Sequence, residues 1–158
     1  MRLYIIRHGE TSWNKAKRLQ GRKDIMLDAD GLRLAEKTGE GMQDIDFDLV
    51  ISSPLIRAKQ TAELVLAGRQ IPMITDKRII EMSFGKWEGE SVRESTVLPA
   101  DYVDKFYHDP YHCPKAPGGE SFQDVLKRTA DFYQSLIKNE AYRDANILIS
   151  THGAASRC

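Results

Sequence analysis

Cysteine is nearly absent: Cys113 and Cys158 are the only two in 158 residues. Two thiols cannot build a disulfide framework, which points to a reducing compartment and a cytoplasmic location. An excess of one charge is missing as well. Lys and Arg number 23 and Asp and Glu number 23, so the net charge is zero. Nucleic acid and acidic membrane surfaces call for a basic face, and neither is an expected partner. No long apolar run occurs. The one near the N-terminus, Leu3 to Ile6, is far too short for a signal-peptide core or a membrane span. Glycine and proline, 11 and 6 residues, stay at background, which rules out collagen-like and low-complexity chains. A soluble single domain over residues 1–158 is the expectation, and a domain of that length buries roughly 70% of its unfolded surface. That leaves room for a shielded site.

What is present is an alternation of apolar runs and amphipathic stretches. Leu3-Tyr4-Ile5-Ile6 predicts a buried strand. Leu32, Leu34, Ala35 and Met42 predict a helix between Gly31 and Met42, weakened by Gly39 and Gly41. Phe47 to Ser52 reads as a second strand. Ser53-Pro54 then opens a helix, with Ser53 as N-cap and Pro54 at the first helical position. Leu55, Ala58, Ala62, Val65 and Leu66 form its stripe, and Gly68 stops it. A weak strand surrounds Ile74. A helix from Ser121 to about Lys138 buries Phe122, Val125, Leu126, Phe132 and Leu136, and Ile147-Leu148-Ile149 is the last strand. This order predicts an α/β fold, a three-layer sandwich with a mostly parallel central sheet flanked by helices. Between Leu98 and Gly119 four prolines interrupt all periodicity, and this segment reads as an irregular loop serving as a lid or binding wall.

The chemistry concentrates at two strand ends. Two of the four histidines are followed by glycine, and each pair lies just beyond an apolar strand: Ile6-Arg7-His8-Gly9 and Ser150-Thr151-His152-Gly153. Open α/β sheets bind ligands at the carboxyl ends of their strands. A serine nucleophile elbow, a phosphate-binding Gly-x4-Gly-Lys loop and a dinucleotide Gly-x-Gly-x-x-Gly are all absent. His108 and His112, with Asp109 and Cys113 nearby, are the candidates for a surface zinc site, but Pro110 between them disfavours a shared helical face. Arginine beside histidine suggests phosphate instead. Arg7 and Arg57 offer planar guanidinium forks for phosphate oxygens, and a neutral imidazole can attack phosphorus.

Taken together, the motifs resemble the histidine phosphatase superfamily in its phosphoglycerate mutase-like branch. The likeness runs from Arg7-His8-Gly9-Glu10-Thr11-Ser12-Trp13-Asn14 through Leu19-Gln20-Gly21-Arg22 and Ser52-Ser53-Pro54-Leu55-Ile56-Arg57-Ala58 with Gln60-Thr61-Ala62. It resumes at Glu81-Met82-Ser83-Phe84-Gly85-Lys86-Trp87-Glu88-Gly89, at Pro117-Gly118-Gly119-Glu120-Ser121 and at Thr151-His152-Gly153. The resemblance implies a phosphatase with His8 as nucleophile. Arg7, Arg57 and His152 would hold the phosphoryl oxygens, with Asn14 and Gly21 as further substrate contacts. Glu81 would be the general acid and then the base, with Glu88 as the competing carboxylate. No metal and no cofactor are implied, and the partner is a small phosphorylated metabolite; the oligomeric state is left open.

Two alternatives accompany this reading, a 2,3-bisphosphoglycerate-dependent mutase and a catalytically inactive relative that binds phospho-ligands. Against the first, the resemblance implies a longer insertion between the acid and the second histidine of a mutase; against the second, Arg7, His8, Arg57, Glu81 and His152 are all present. Lys15, Lys17, Arg18, Arg22 and Lys23 form a basic cluster that would steer anions or simply be solvated. Trp13 and Trp87 are candidates for the cleft or its wall. Family members continue past the second His-Gly with another helix and strand, so the chain is expected to lack these beyond Cys158.

Overall fold

In the computed structural model, which describes residues 1–158, the first secondary element is strand β1, Arg2–Arg7. A four-residue helix α1, Ser12–Lys15, follows and is closed by a capping box between Thr11 and Asn14. Next come helix α2, Ala29–Gly41, strand β2, Leu49–Ser52, helix α3, Ile56–Leu66, and strand β3, Met73–Thr75. Helix α4, Tyr102–His108, helix α5, Phe122–Ile137, and strand β4, Asn146–Thr151, complete the main elements. The sheet is parallel throughout, in the order β1-β4-β2-β3.

Three layers follow from the side-chain alternation of the central strands. Val50 and Leu148 face Ala62, Val65 and Leu66 of α3. Leu49, Ile51, Ile147 and Ile149 face Phe132 and Leu136 of α5. Strands covered on both faces read as continuous apolar runs rather than alternating ones, which is why Leu49-Val50-Ile51 and Ile147-Leu148-Ile149 stood out. A third cluster lies off the sheet: Met82, Phe84, Trp87, Tyr102, Phe122 and neighbours pack into a wall beyond the strand ends.

Several expectations need correction. β1 is an edge strand, and Ile5 is 47% exposed rather than buried. On α5, Leu126 is 52% exposed while Thr129 is fully buried. Thr129 falls on the stripe between Val125 and Phe132, and its hydroxyl donates to the Val125 carbonyl at 3.0 Å, so a polar residue takes the place the pattern had given to leucine. The proline-rich stretch is not wholly irregular, because α4 occupies its middle and ends just before Pro110. The third helix starts at Ile56, not at Pro54. Ser53 does not cap it; the Ile56 N–H is met by Asp24 Oδ1 at 2.7 Å.

The α2 glycines prove to be contact residues. Gly31 and Gly39 are buried and Leu34 is exposed, the reverse of the pattern drawn from its leucines. A Cβ at Gly39 would stand 2.8 Å from the Val65 carbonyl oxygen of α3, so the two helices approach backbone to backbone. At Gly41 a Cβ would meet nothing within 4 Å. Gly39→Ala is therefore expected to destabilise the fold by about 1–3 kcal/mol, as overpacking does. Gly41→Ala should be neutral or gain up to about 1 kcal/mol of helix propensity. Urea unfolding of both variants measures the contrast, and equal effects would refute the close-packing account.

Candidate active site

The parallel register sets the site. Ser52 of β2 is level with Ser150 of β4, and Arg7 of β1 is level with Thr151, so His8, His152 and Ser53 all emerge at one edge. The His8 N–H donates to the Thr151 carbonyl at 3.0 Å, extending the ladder one residue past β1. The Gly9 N–H then donates to Thr61 Oγ1 at 3.0 Å, and that hydroxyl donates to the Arg57 carbonyl at 2.7 Å. A Cβ at Gly9 would lie 2.6 Å from the Gly31 carbonyl oxygen. Glycine is thus required where the chain turns beneath α2. At Gly153 a Cβ would meet only the Arg7 guanidinium, at 3.3 Å, a tight contact that the exposed arginine side chain can relieve.

His8 Nδ1 lies 2.7 Å from the Gly9 carbonyl oxygen. A carbonyl only accepts, so Nδ1 carries the proton and Nε2 carries the lone pair. Burial, together with the charges of Arg57 and Arg7, pulls the His8 pKa down to about 3, which keeps the ring neutral. The His152 ring is fully buried, with its centroid 5.2 Å from that of His8. Burial and the same two arginines, together with His8, hold it well below the ordinary histidine value. Its Nε2 meets Ser53 Oγ at 2.7 Å.

Arg57 is a cation with no exposure at all. Its NH1 and NH2 groups donate to the Lys23 and Gly21 carbonyls, each at 2.8 Å, and its buried Nε–H has no partner. Burial lowers its pKa, opposed by the carboxylates of Glu81, Asp24 and Glu88. Arg7, by contrast, is an exposed residue at the cavity. Asn14 Oδ1 accepts from the Thr11 N–H and hydroxyl at 3.1 and 2.9 Å, which leaves its amide N–H₂ for a ligand.

Glu81 is buried beside this group. A 3₁₀ turn, Lys77–Ile79, precedes it, and Thr151 Oγ1 donates to the Ile79 carbonyl at 2.8 Å, pinning the segment to the end of β4. Glu81 Oε1 accepts from the Met82, Ala154 and Ala155 N–H groups at 2.8, 3.2 and 3.2 Å. Oε2 has only a 3.4 Å contact with the Ala154 N–H and is the freer oxygen. Glu88 does something else. Its Oε1 accepts from the Arg22 and Phe84 N–H groups at 2.9 and 3.3 Å, and a Cβ at Gly21, whose φ is +51°, would collide with it. Glu88 thus clamps the Gly21 turn against the Phe84 segment.

Arg7, His8, Asn14, Gly21, Arg57 and Glu81 line one cavity of about 640 Å³. The predicted residues thus come together, and the buried His152 stands next to His8, ring centroids 5.2 Å apart, without lining the cavity itself. The outer wall includes Phe84 together with Phe106 and Tyr107 of α4, and in this respect the proline-rich segment is the expected binding wall. Arg157 holds α4 there by donating to the Phe106 and Tyr107 carbonyls at 3.2 and 3.3 Å.

The basic cluster divides. Lys17 and Arg18 line the cavity, whereas Lys15 pairs with Asp28 and Asp30, and Arg22 with Glu120. Neither tryptophan lines the cavity. Trp87 is core, stacked edge-on against Tyr102 at 5.1 Å, and Trp13 packs beside Gly89. His108 and His112 are exposed on separate segments, each at its own neighbour, Asp104 or Asp109, so the zinc reading has no geometry behind it. The sequence reading placed Thr61 in the motif without giving it a role, and missed the Ala154 and Ala155 N–H groups and the true partner of Ser53. For the N–H groups the small residues after His152-Gly153 were the available signal.

Two neutral buried histidines make stability pH-dependent. In the unfolded chain each titrates near 6.5, while in the fold each stays unprotonated to much lower pH. Unfolding therefore takes up protons below about pH 6.5, and stability falls as pH drops from there toward about 3. His8→Asn removes one of the two groups. Between pH 6 and 5 the variant should lose stability with a slope shallower by about 1.4 kcal/mol per pH unit, one proton's worth, as read from urea midpoints. An unchanged slope would show that His8 is not held neutral.

The family model described as histidine phosphatase superfamily (branch 1) matches residues 3–158. The "Uncharacterized phosphatase PhoE" of Bacillus subtilis (strain 168) is 34% identical over 151 residues, covering 96% of this chain and 71% of the relative. The adenosylcobalamin/alpha-ribazole phosphatase of Escherichia coli (strain K12) is 35% identical over 152 residues, covering 96% and 73%. The solved structure of Bacillus stearothermophilus YhfR superposes with a TM-score of 0.87 at 35% identity, covering 98% of this chain and 75% of that one. By sequence and by fold, this chain belongs to the histidine phosphatase superfamily, branch 1, and is an enzyme of the phosphatase type.

Proposed function

We propose that the chain hydrolyses a small phosphomonoester through a phosphohistidine intermediate, with His8 as the nucleophile. The observation that carries this reading is the His8 ring itself. Its Nδ1–H is spent on the Gly9 carbonyl, so the lone pair sits on Nε2, the nitrogen left for the cavity. In this reading Arg7, Arg57, Asn14 and Gly21 hold the phosphoryl oxygens from the cavity lining, and His152 adds a contact from its place next to His8, ring centroids 5.2 Å apart. Positive charge fixed in advance around these oxygens stabilises the transition state without reorganisation. Arginine supplies it, so the step calls for no metal and no cofactor.

His8 Nε2 forms a bond to phosphorus as the ester P–O bond breaks. Glu81, as the general acid, passes a proton from Oε2 to the departing oxygen. Water then attacks the phosphohistidine while Glu81, now a carboxylate, takes the water's proton. Inorganic phosphate leaves and His8 returns to its neutral form. The aromatic wall from Phe84 to Tyr107 receives the alcohol part of the substrate.

A panel of phosphomonoesters assayed with and without chelator tests the activity. Brief incubation with a turned-over ester, followed by acid quench, should trap about one acid-labile phosphate per chain. His8→Ala should abolish both turnover and trapping, and undiminished trapping in the variant would overturn the assignment. Transfer of the trapped phosphate to a second alcohol rather than to water would make the enzyme a mutase.

Glu81→Gln separates acid from phosphate binder. An alkyl phosphate leaves as a basic alkoxide and needs the proton, whereas nitrophenolate is stable as an anion. The variant should phosphorylate His8 from the alkyl ester about 10²–10⁴-fold more slowly, the usual worth of general acid catalysis. With the nitrophenyl ester the single-turnover rate should be far better preserved. Equal losses on both would mean that Glu81 only shapes the site.

A further inference from the structure

Ser53 is fully buried and stands in none of the roles assigned above. It is the first residue after β2, and its N–H donates to the Ser150 carbonyl at 2.9 Å. That bond continues the β2–β4 ladder by one step and carries Ser53 alongside the chain leading to His152. There Oγ lies 2.7 Å from His152 Nε2, and its only other contact is the Leu55 N–H at 3.4 Å. Pro54 follows directly, so no amide proton of that residue competes for the hydroxyl.

The direction of this hydrogen bond decides which proton His152 can offer. The Leu55 N–H can only donate, so Oγ accepts there. If His152 Nε2 also donated to Oγ, the hydroxyl proton would be left buried with no acceptor, and Nδ1 would carry a bare lone pair. If Ser53 donates to Nε2, the hydroxyl is fully used and the imidazole proton sits on Nδ1. Nδ1 is buried and has no partner of its own in the protein. Its ring lies 5.2 Å from His8, in the positive surroundings of Arg7 and Arg57. A lone pair presented to a phosphoryl oxygen repels it, whereas an N–H binds it.

We infer that Ser53 is a positioning residue: it donates its hydroxyl proton to His152 Nε2, and so fixes the tautomer that leaves Nδ1–H unpartnered and free to donate to a bound phosphoryl oxygen. The inference rests on the phosphatase reading for its consequence, though not for the tautomer itself. The two histidines are then used in opposite senses. Both carry their proton on Nδ1, but His8 spends that proton on a carbonyl and offers a lone pair, while His152 has its lone pair occupied and offers the proton.

Nitrogen-15 NMR of histidine-labelled protein reads the tautomer directly. In the free native chain at neutral pH, His152 should show a protonated Nδ1 and an unprotonated, hydrogen-bonded Nε2. Nε2 protonation would overturn the inference with no variant needed. In Ser53→Ala, which removes one oxygen and leaves the backbone bond to Ser150 intact, the His152 signals should move to a mixture of tautomers. An unchanged pattern would also overturn it.

Kinetics give the second arm. Ser53→Ala should lower the single-turnover phosphorylation rate of His8 by about 10- to 100-fold, as loss of a supporting hydrogen bond to a functional histidine does elsewhere. Added to His152→Ala, it should cost less than a further twofold, because the serine acts only through the ring. Multiplying losses would show a general structural role and refute positioning. If no ester is turned over at all, the phosphatase reading fails, and the NMR result still decides the tautomer.

Discussion

Pairing of β4 with both β1 and β2 is the constraint on which the site depends. Parallel strands point the same way, so their carboxyl ends share an edge, and ligands in open α/β sheets bind there. The register Ser52↔Ser150 and Arg7↔Thr151 brings His8, Ser53 and His152 into neighbouring positions, although 144 residues of chain separate the two histidines. A slip of one residue would turn Ile147 and Ile149 toward α3 and Leu148 toward α5. The apolar core on both faces therefore enforces the alignment of the polar edge, and packing energy is converted into catalytic geometry.

Within that frame the difficult element is Arg57. A buried guanidinium is costly to desolvate, and it is tolerated when paired or fully hydrogen-bonded. No carboxylate lies within ion-pair distance here. Instead two carbonyls from the 21–23 turn accept from it, and those carbonyls are held by a turn that Glu88 braces through the Arg22 and Phe84 N–H groups. Neutral dipoles satisfy hydrogen bonds without cancelling the charge. Added to burial, the residual positive field helps to keep His8 and His152 neutral, and it would attract a phosphoryl dianion.

Much of this was legible in the sequence, for identifiable reasons. Leu49-Val50-Ile51 and Ile147-Leu148-Ile149 announce doubly covered strands, and histidine followed by glycine at both strand ends announces the site. Ser121 announced the start of α5 and does cap it. Other features were not legible because they depend on residues far away in the chain. Gly39 lowers helix propensity locally, yet its bare Cα is what lets α2 touch α3. Ser53 carries the local signature of an N-cap, but its hydroxyl goes to His152, 99 residues away. Leu126 and Thr129 exchange roles because the stripe on α5 is set by the sheet it covers rather than by hydropathy alone. Motif position favoured Glu81 over Glu88, and in the fold they differ in their backbone N–H partners and in the cavity, which Glu81 lines and Glu88 does not.

The two halves of the cavity rest on different parts of the fold, and this bears on how specificity arises. The end that the proposed mechanism assigns to phosphate is built on strand ends and on the first turn of α3, packed on the core. The opposite wall is built on Phe84 and on α4, whose position depends on Arg157 reaching the Phe106 and Tyr107 carbonyls and lying 5.6–5.7 Å from the ring centres of Phe106, Tyr107 and Phe122. Tyr102 of α4 is core, but Tyr107 is 61% exposed, and surface positions of this kind tolerate substitution better than a central strand does. On the proposed reading, changes at such positions would reach the alcohol portion of a substrate while His8, Arg57 and Glu81 stay in place. Reaction type would then be set at the sheet edge, and substrate choice by the exposed side of a short helix outside the sheet.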